Sequence, residues 1–86
     1  MRYSVELKPQ AYKDLKRVHR SDAAKIFDAL DNLADGLSGD VKRLTNLTPE
    51  YRLRVGNYRV LFEIENGKRI VIYRVNHRKD AYKKRK

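Results

Sequence analysis

An Asn-Gly pair at 66–67, set between two alternating runs of apolar residues, constrains this chain more than any other stretch. Both residues tolerate the backbone that a two-residue hairpin needs, so the strand 58–65 is expected to fold back onto 68–75. That loop sets Glu65 opposite Lys68, Leu61 opposite Ile72 and Arg59 opposite Arg74. Gly56-Asn57 marks a second, weaker turn, which pairs 51–55 with the strand after it and brings Val55 opposite Tyr58 and Arg54 opposite Arg59. A three-stranded antiparallel meander follows.

Side chains alternate across a strand, so Tyr58, Val60, Phe62 and Ile64 share one apolar face with Val71, Tyr73 and Val75. The opposite face then carries Arg54, Arg59 and Arg74 in one row, with Arg52 one step along beside Leu61 and Ile72. Like charges directly opposite one another destabilise a sheet. A fold gains little from such a row, whereas a polyanion site gains much, because guanidinium groups bind phosphate through paired hydrogen bonds.

A formal net charge of +10 and a pI of about 10.1 point to nucleic acid, an acidic protein partner or an anionic membrane surface. No apolar run reaches the length of a spanning helix, and MRYSVELK alternates as a strand does and does not read as a signal peptide, so no membrane role is expected. Cysteine is absent and the histidines are His19 and His77 alone, so neither a metal centre nor another cofactor is expected, and a reduced, cytoplasmic setting is compatible.

Eighty-six residues suit one domain, 1–86, with a single modest core. Residues 2–8 alternate as a half-buried strand. Pro9 suits a first helical turn, and the stripe Ala11, Tyr12, Leu15, Val18 predicts a helix over 9–18. Ser21 or Asp22 can cap a second helix, whose apolar positions include Ala23, Ile26, Phe27, Leu30 and Leu33, with Gly36 as terminator. His19 lies in the corner between them and reads as structural or solvated. The fold class is α+β: two layers, β-α-α-β-β-β, an antiparallel helical hairpin on one face of a four-stranded sheet, followed by a short C-terminal basic helix or tail. Residues 38–49, rich in Ser, Gly, Asp, Thr and Asn, read as a connector tacked to the core by Val41, Leu44 and Leu47.

From Arg74 onward the chain is dominated by lysine and arginine against the single Asp80. Tyr82 lies among those cations and offers a ring on which an exposed base can stack. Lys79, Lys83 and Lys84 are candidate phosphate ligands, as is Arg74.

The segments YRLRVGNYRVLFEI and VNHRKDAY, with the order of strand, helical hairpin and meander, closely resemble the RelE branch of the RelE/ParE toxin superfamily of toxin–antitoxin systems. The resemblance covers nearly the whole chain. It implies a metal-independent, ribosome-dependent endoribonuclease that cuts messenger RNA in the A site, the 2′-hydroxyl attacking the adjacent phosphate to leave a 2′,3′-cyclic phosphate. It places Arg52 and Arg54 where well-known members carry lysines, Arg59 at the arginine of G-x-Y-R, and Arg78 and Tyr82 at the tail arginine and tyrosine. Arginine does not release its proton readily, so a base must come from elsewhere. His77 is one candidate, although strand parity turns it to the core side while Arg78 faces the arginine row. Tyr82 is instead a candidate to stack on a base and donate a proton. The implied partners are an antitoxin with an acidic wrapping segment, the ribosome and its mRNA, and operator DNA only through the antitoxin complex. The alternative within the superfamily is a ParE-like toxin that poisons DNA gyrase by binding protein.

Overall fold

In the computed structural model, residues 2–44 and 48–77 are described. The order is β1 (Ser4–Leu7), α1 (Pro9–Lys16), α2 (Arg20–Ala34), β2 (Asp40–Arg43), β3 (Tyr51–Val55), β4 (Tyr58–Glu65) and β5 (Arg69–His77). One five-stranded sheet runs β1-β5-β4-β3-β2, parallel between β1 and β5 and antiparallel elsewhere. The two-layer α+β arrangement therefore stands, and the expected basic tail lies outside the described residues. Among the described residues no helix is long and apolar enough to cross a membrane.

The helices bury most of the stripes that their spacing predicts, although Tyr12 of the α1 stripe is exposed. Ala11 and Leu15 of α1 and Ile26, Leu30 and Leu33 of α2 meet Leu53, Val60, Phe62, Ile70, Ile72 and Val75 in one core. Pro9 does open α1. The first helix is shorter than expected: it ends at Lys16, and the amides of Arg17 and Val18 close tight bonds to the carbonyls of Asp14 and Leu15. His19 caps α2, its Nδ1 accepting from the Ser21 amide at 3.3 Å, so its role is structural. At the other end Gly36 takes φ +89° and the Leu37 amide reaches back to Leu33 at 2.8 Å. Phe27, expected in the buried stripe, is half exposed.

Two departures from the expected sheet bear on the site. The first is β2, in the stretch read as a connector. Four residues with a single apolar one, Val41, carry almost no strand pattern, yet their backbone pairs with β3 in the register Asp40–Arg54 and Lys42–Arg52. The second is register in the last hairpin. Lys68 joins the loop, its amide bonding the Glu65 carbonyl at 3.1 Å, and the ladder starts at Glu65–Arg69.

That shift pairs Ile64 with Ile70 and Phe62 with Ile72, burying both isoleucines completely, where the two-residue loop would have turned them away from the helices. Core burial thus overrides the local turn preference. Val71 instead sits between Glu6 and Glu63, buried but outside the core cluster. A bulge between Leu61 and Phe62 then leaves Tyr73 unpaired and advances the register once more, so Leu61 faces Arg74, Arg59 faces Asn76 and Tyr58 faces His77. Parity is restored, and Val75 returns to the core as expected.

Candidate anion-binding face

The face away from the helices is defined by these pairings. One row reads Asp40, Arg54, Arg59, Asn76 across four strands, and the next reads Lys42, Arg52, Leu61, Arg74. Alternation around the tight Gly56-Asn57 turn brings Arg52, Arg54 and Arg59 to one side, as the sequence predicts, and β2 adds Lys42 beside Arg52. Neighbouring strands lie about 4.8 Å apart, so these four cations share a patch roughly 10 Å by 7 Å at the backbone. Two unit charges about 6 Å apart repel by roughly 0.7 kcal/mol in bulk water and about 3 kcal/mol near a protein surface. An anion placed among them reverses that sign for every pair it bridges.

Asp40 does little to neutralise Arg54. Asp40 stands 3.8 Å from Arg54, with both side chains more than half exposed, a geometry worth little in solvent. The Nη1 of Arg52 is buried with no hydrogen-bond partner among the described residues. Arg59 keeps only 5% exposure, so its charge is set into the layer and acts through a poorly screened path. The same face turns acidic farther along: Glu63 accepts from the Glu50 amide at 2.8 Å, and Arg69 stands within 3.5 Å of Glu6 and 3.3 Å of Glu65. A ligand drawn by charge is therefore confined to the end formed by Lys42, Arg52, Arg54 and Arg59.

Arg74 was expected in the arginine row opposite Arg59, and its placement differs. The bulge moves it opposite Leu61, and its guanidinium turns over the sheet edge to Asp14 of α1, with Nε 2.8 Å from Oδ2 and Nη2 3.4 Å from Oδ1. Burial alone would push the Asp14 carboxyl up. Hydrogen bonds from Arg74, the Val75 amide and Gln10, together with the Arg74 charge, outweigh that and hold it below its ordinary value. Arg74 is thus engaged by the Asp14 carboxylate, with its side chain still half exposed.

His77 stands opposite Tyr58 on the helix side, the two rings edge to face with centroids 5.2 Å apart. The sheet separates it from Arg54 and Arg59. Arg78, Lys79, Tyr82, Lys83 and Lys84 lie outside the described residues.

Two residues of the face escape the sequence reading. Lys42 is hidden in a strand of four, and only its alternation with Val41 hints at it. Asn76 reaches the row because of the bulge, which no local pattern announces.

Comparison with known proteins adds a separate line. The family described as ParE toxin of type II toxin–antitoxin system, parDE, matches residues 5–82. Toxin RelE3 of Methanocaldococcus jannaschii is 43% identical over 75 residues, covering 81% of this chain and 84% of that protein. The crystal structure of the RelB-RelE antitoxin-toxin complex from Methanococcus jannaschii superposes with a TM-score of 0.75 at 30% identity, over 90% of this chain and 94% of the other. The toxin-antitoxin complex RelBE2 from Mycobacterium tuberculosis gives a TM-score of 0.77 at 26% identity, over 90% and 99%.

Proposed function

The chain belongs to the RelE/ParE toxin superfamily, and from that premise we propose that it is a RelE-type toxin, an endoribonuclease that cleaves messenger RNA on the ribosome. The observation that carries this reading is the convergence of Lys42, Arg52, Arg54 and Arg59 on the helix-free face. Four cations on three adjacent strands suit the sugar–phosphate backbone of one strand.

The reaction is a transesterification. The ribose 2′-hydroxyl attacks the adjacent phosphorus, the 5′-oxygen leaves, and the product end carries a 2′,3′-cyclic phosphate. Charge builds on the non-bridging oxygens of the phosphorane, and catalysis comes from fixed positive charge waiting where it builds. In this assignment Arg54 and Arg59, opposite each other across β3 and β4, receive those oxygens, while Arg52 and Lys42 hold a neighbouring phosphate. Arg78 and Tyr82, by their match to the tail arginine and tyrosine of the family, are assigned to phosphate binding and base stacking, and Lys79, Lys83 and Lys84 to ribosomal RNA phosphates. Guanidinium groups keep their protons, so proton transfer falls to Tyr82 or to a group of the ribosome.

Relatives are solved with a RelB antitoxin. By charge complementarity the antitoxin of this chain places an acidic segment over the same patch, in competition with RNA.

The test is to add the purified protein to ribosomes programmed with a defined message and map the breaks. Cleavage within the A-site codon, a cyclic phosphate at the new 3′ end, and loss of both in Arg59→Ala are expected. Intact message together with inhibited gyrase supercoiling would establish the ParE-like activity instead, which the description of the matching family makes the relevant second outcome.

A further inference from the structure

Asp14 and Arg59 are the buried charged residues among those described, and Asp14 belongs to no part of the anion face. It comes from α1, sixty residues away in sequence from its main partner. Its position follows from where β1 stops. β1 covers the outer edge of β5 up to Ile72, where the Lys8 amide makes the last bond to the Ile72 carbonyl. β5 runs on to His77 without that neighbour. Asp14 stands there in its place. Its Oδ2 accepts from the Val75 amide at 2.9 Å and from Arg74 Nε at 2.8 Å, and its Oδ1 accepts from Gln10 Nε2 at 3.1 Å.

A carboxylate is suited to this post. A buried amide facing a missing strand needs an acceptor, and the oxygen that meets it also accepts from the cation beside it, with the second oxygen 3.4 Å from the same guanidinium. The point of attachment is also specific. It follows the bulge at Tyr73 directly and precedes Asn76, which pairs with Arg59, and His77, after which the chain continues into Arg78.

We propose that Asp14 is a positioning residue for the cleavage reaction: by clamping Arg74 and the Val75 amide it fixes the end of β5 against which Arg59 is registered, and it withholds Arg74 from the substrate. The proposal rests on the ribonuclease reading given above. Removing the clamp lets β5 slide or fray beyond the bulge, and a displacement of about 1 Å at a reacting group costs on the order of a hundredfold in rate. The encounter with the ribosome is led by Lys42, Arg52, Arg54 and Arg59, which the change does not touch.

The experiment measures single-turnover cleavage on programmed ribosomes against toxin concentration for the wild type, Asp14→Ala, Asp14→Asn and Leu30→Ala. Leu30→Ala lowers stability in the core of α2, away from the site, and serves as the control for destabilisation. Asp14→Ala is expected to lose roughly ten- to a hundredfold in the limiting rate with the half-saturating concentration within about twofold of wild type. Asp14→Asn keeps an acceptor for the Val75 amide and is expected to recover part of the rate. Hydrogen exchange at the Val75 amide, fast in Asp14→Ala and slow in Asp14→Asn and the wild type, reports the clamp directly and is read even if Asp14→Ala folds only in part. Wild-type limiting rates in both Asp14 variants, or an equal loss in Leu30→Ala at matched stability, would overturn the positioning role while leaving the nuclease intact. A wild type that leaves the message whole removes the functional reading itself, and this proposal with it.

Discussion

Gly39→Ala should destabilise the protein far more than Gly36→Ala, although both replace a glycine with positive φ at the end of an element. Gly39 has φ +125°, and a Cβ built there meets Leu53 Cδ1 at 2.9 Å. Leu53 is 1% exposed and packed in the core, so its methyl has nowhere to swing. Backbone strain at such a position costs about 1–3 kcal/mol. Overpacking a filled site costs about 1–3 kcal/mol more, giving a central expectation of about 4 kcal/mol. Gly36, at φ +89°, has nothing within 4 Å of the same added atom, so only the strain remains, about 1–2 kcal/mol. At about 4–8 °C of melting temperature per kcal/mol for a domain of this size, Gly39→Ala should melt at least about 15 °C below wild type and Gly36→Ala about 5–15 °C below it. Thermal unfolding followed by far-ultraviolet circular dichroism measures both. Since Gly39 leads directly into β2, the same variant should also weaken the placement of Lys42 beside Arg52. Equal melting temperatures for the two variants would refute the idea that Leu53 is held rigidly beneath β2.

Two further outcomes follow from the charges. The Asp14 carboxyl lies below its ordinary 3.8, so its contribution to stability is fully present above that value and is lost as pH falls through the lower folded value. The gap in melting temperature between wild type and Asp14→Asn should therefore be constant near neutrality and close on acidification below about pH 4, a trend read from melts between pH 2 and 7. Arg54 is half exposed and its ion pair is long, so Arg54→Ala should change stability by no more than about 0.5 kcal/mol while lowering ribosomal cleavage about a hundredfold or more. The same change should also reduce the dependence of RNA binding on log salt by about 0.7 in a binding titration.

Much of this arrangement is legible in the sequence because it is local. Alternation and the Gly56-Asn57 turn act over a few residues, and together they set Arg52, Arg54 and Arg59 on one face before any long-range contact is known. Helical stripes at Ala11, Leu15, Ile26, Leu30 and Leu33 are equally short-range, and all five are buried. Phe27 fits the same stripe and is half exposed, because the stripe is wider than the surface that covers it.

The remaining features were decided by tertiary structure, where a distant partner outweighs a local preference. Asn66-Gly67 favours a two-residue loop, but complete burial of Ile70 and Ile72 against Ile64 and Phe62 shifts the ladder by one residue, and the bulge at Tyr73 shifts it again. β2 exists because β3 offers it hydrogen bonds, not because Asp-Val-Lys-Arg prefers to be a strand. Arg74 illustrates the division most clearly: its chemistry is plain from its position among cations, but whether it meets a ligand or a carboxylate depends on Asp14, which reaches it only once α1 has packed against β5.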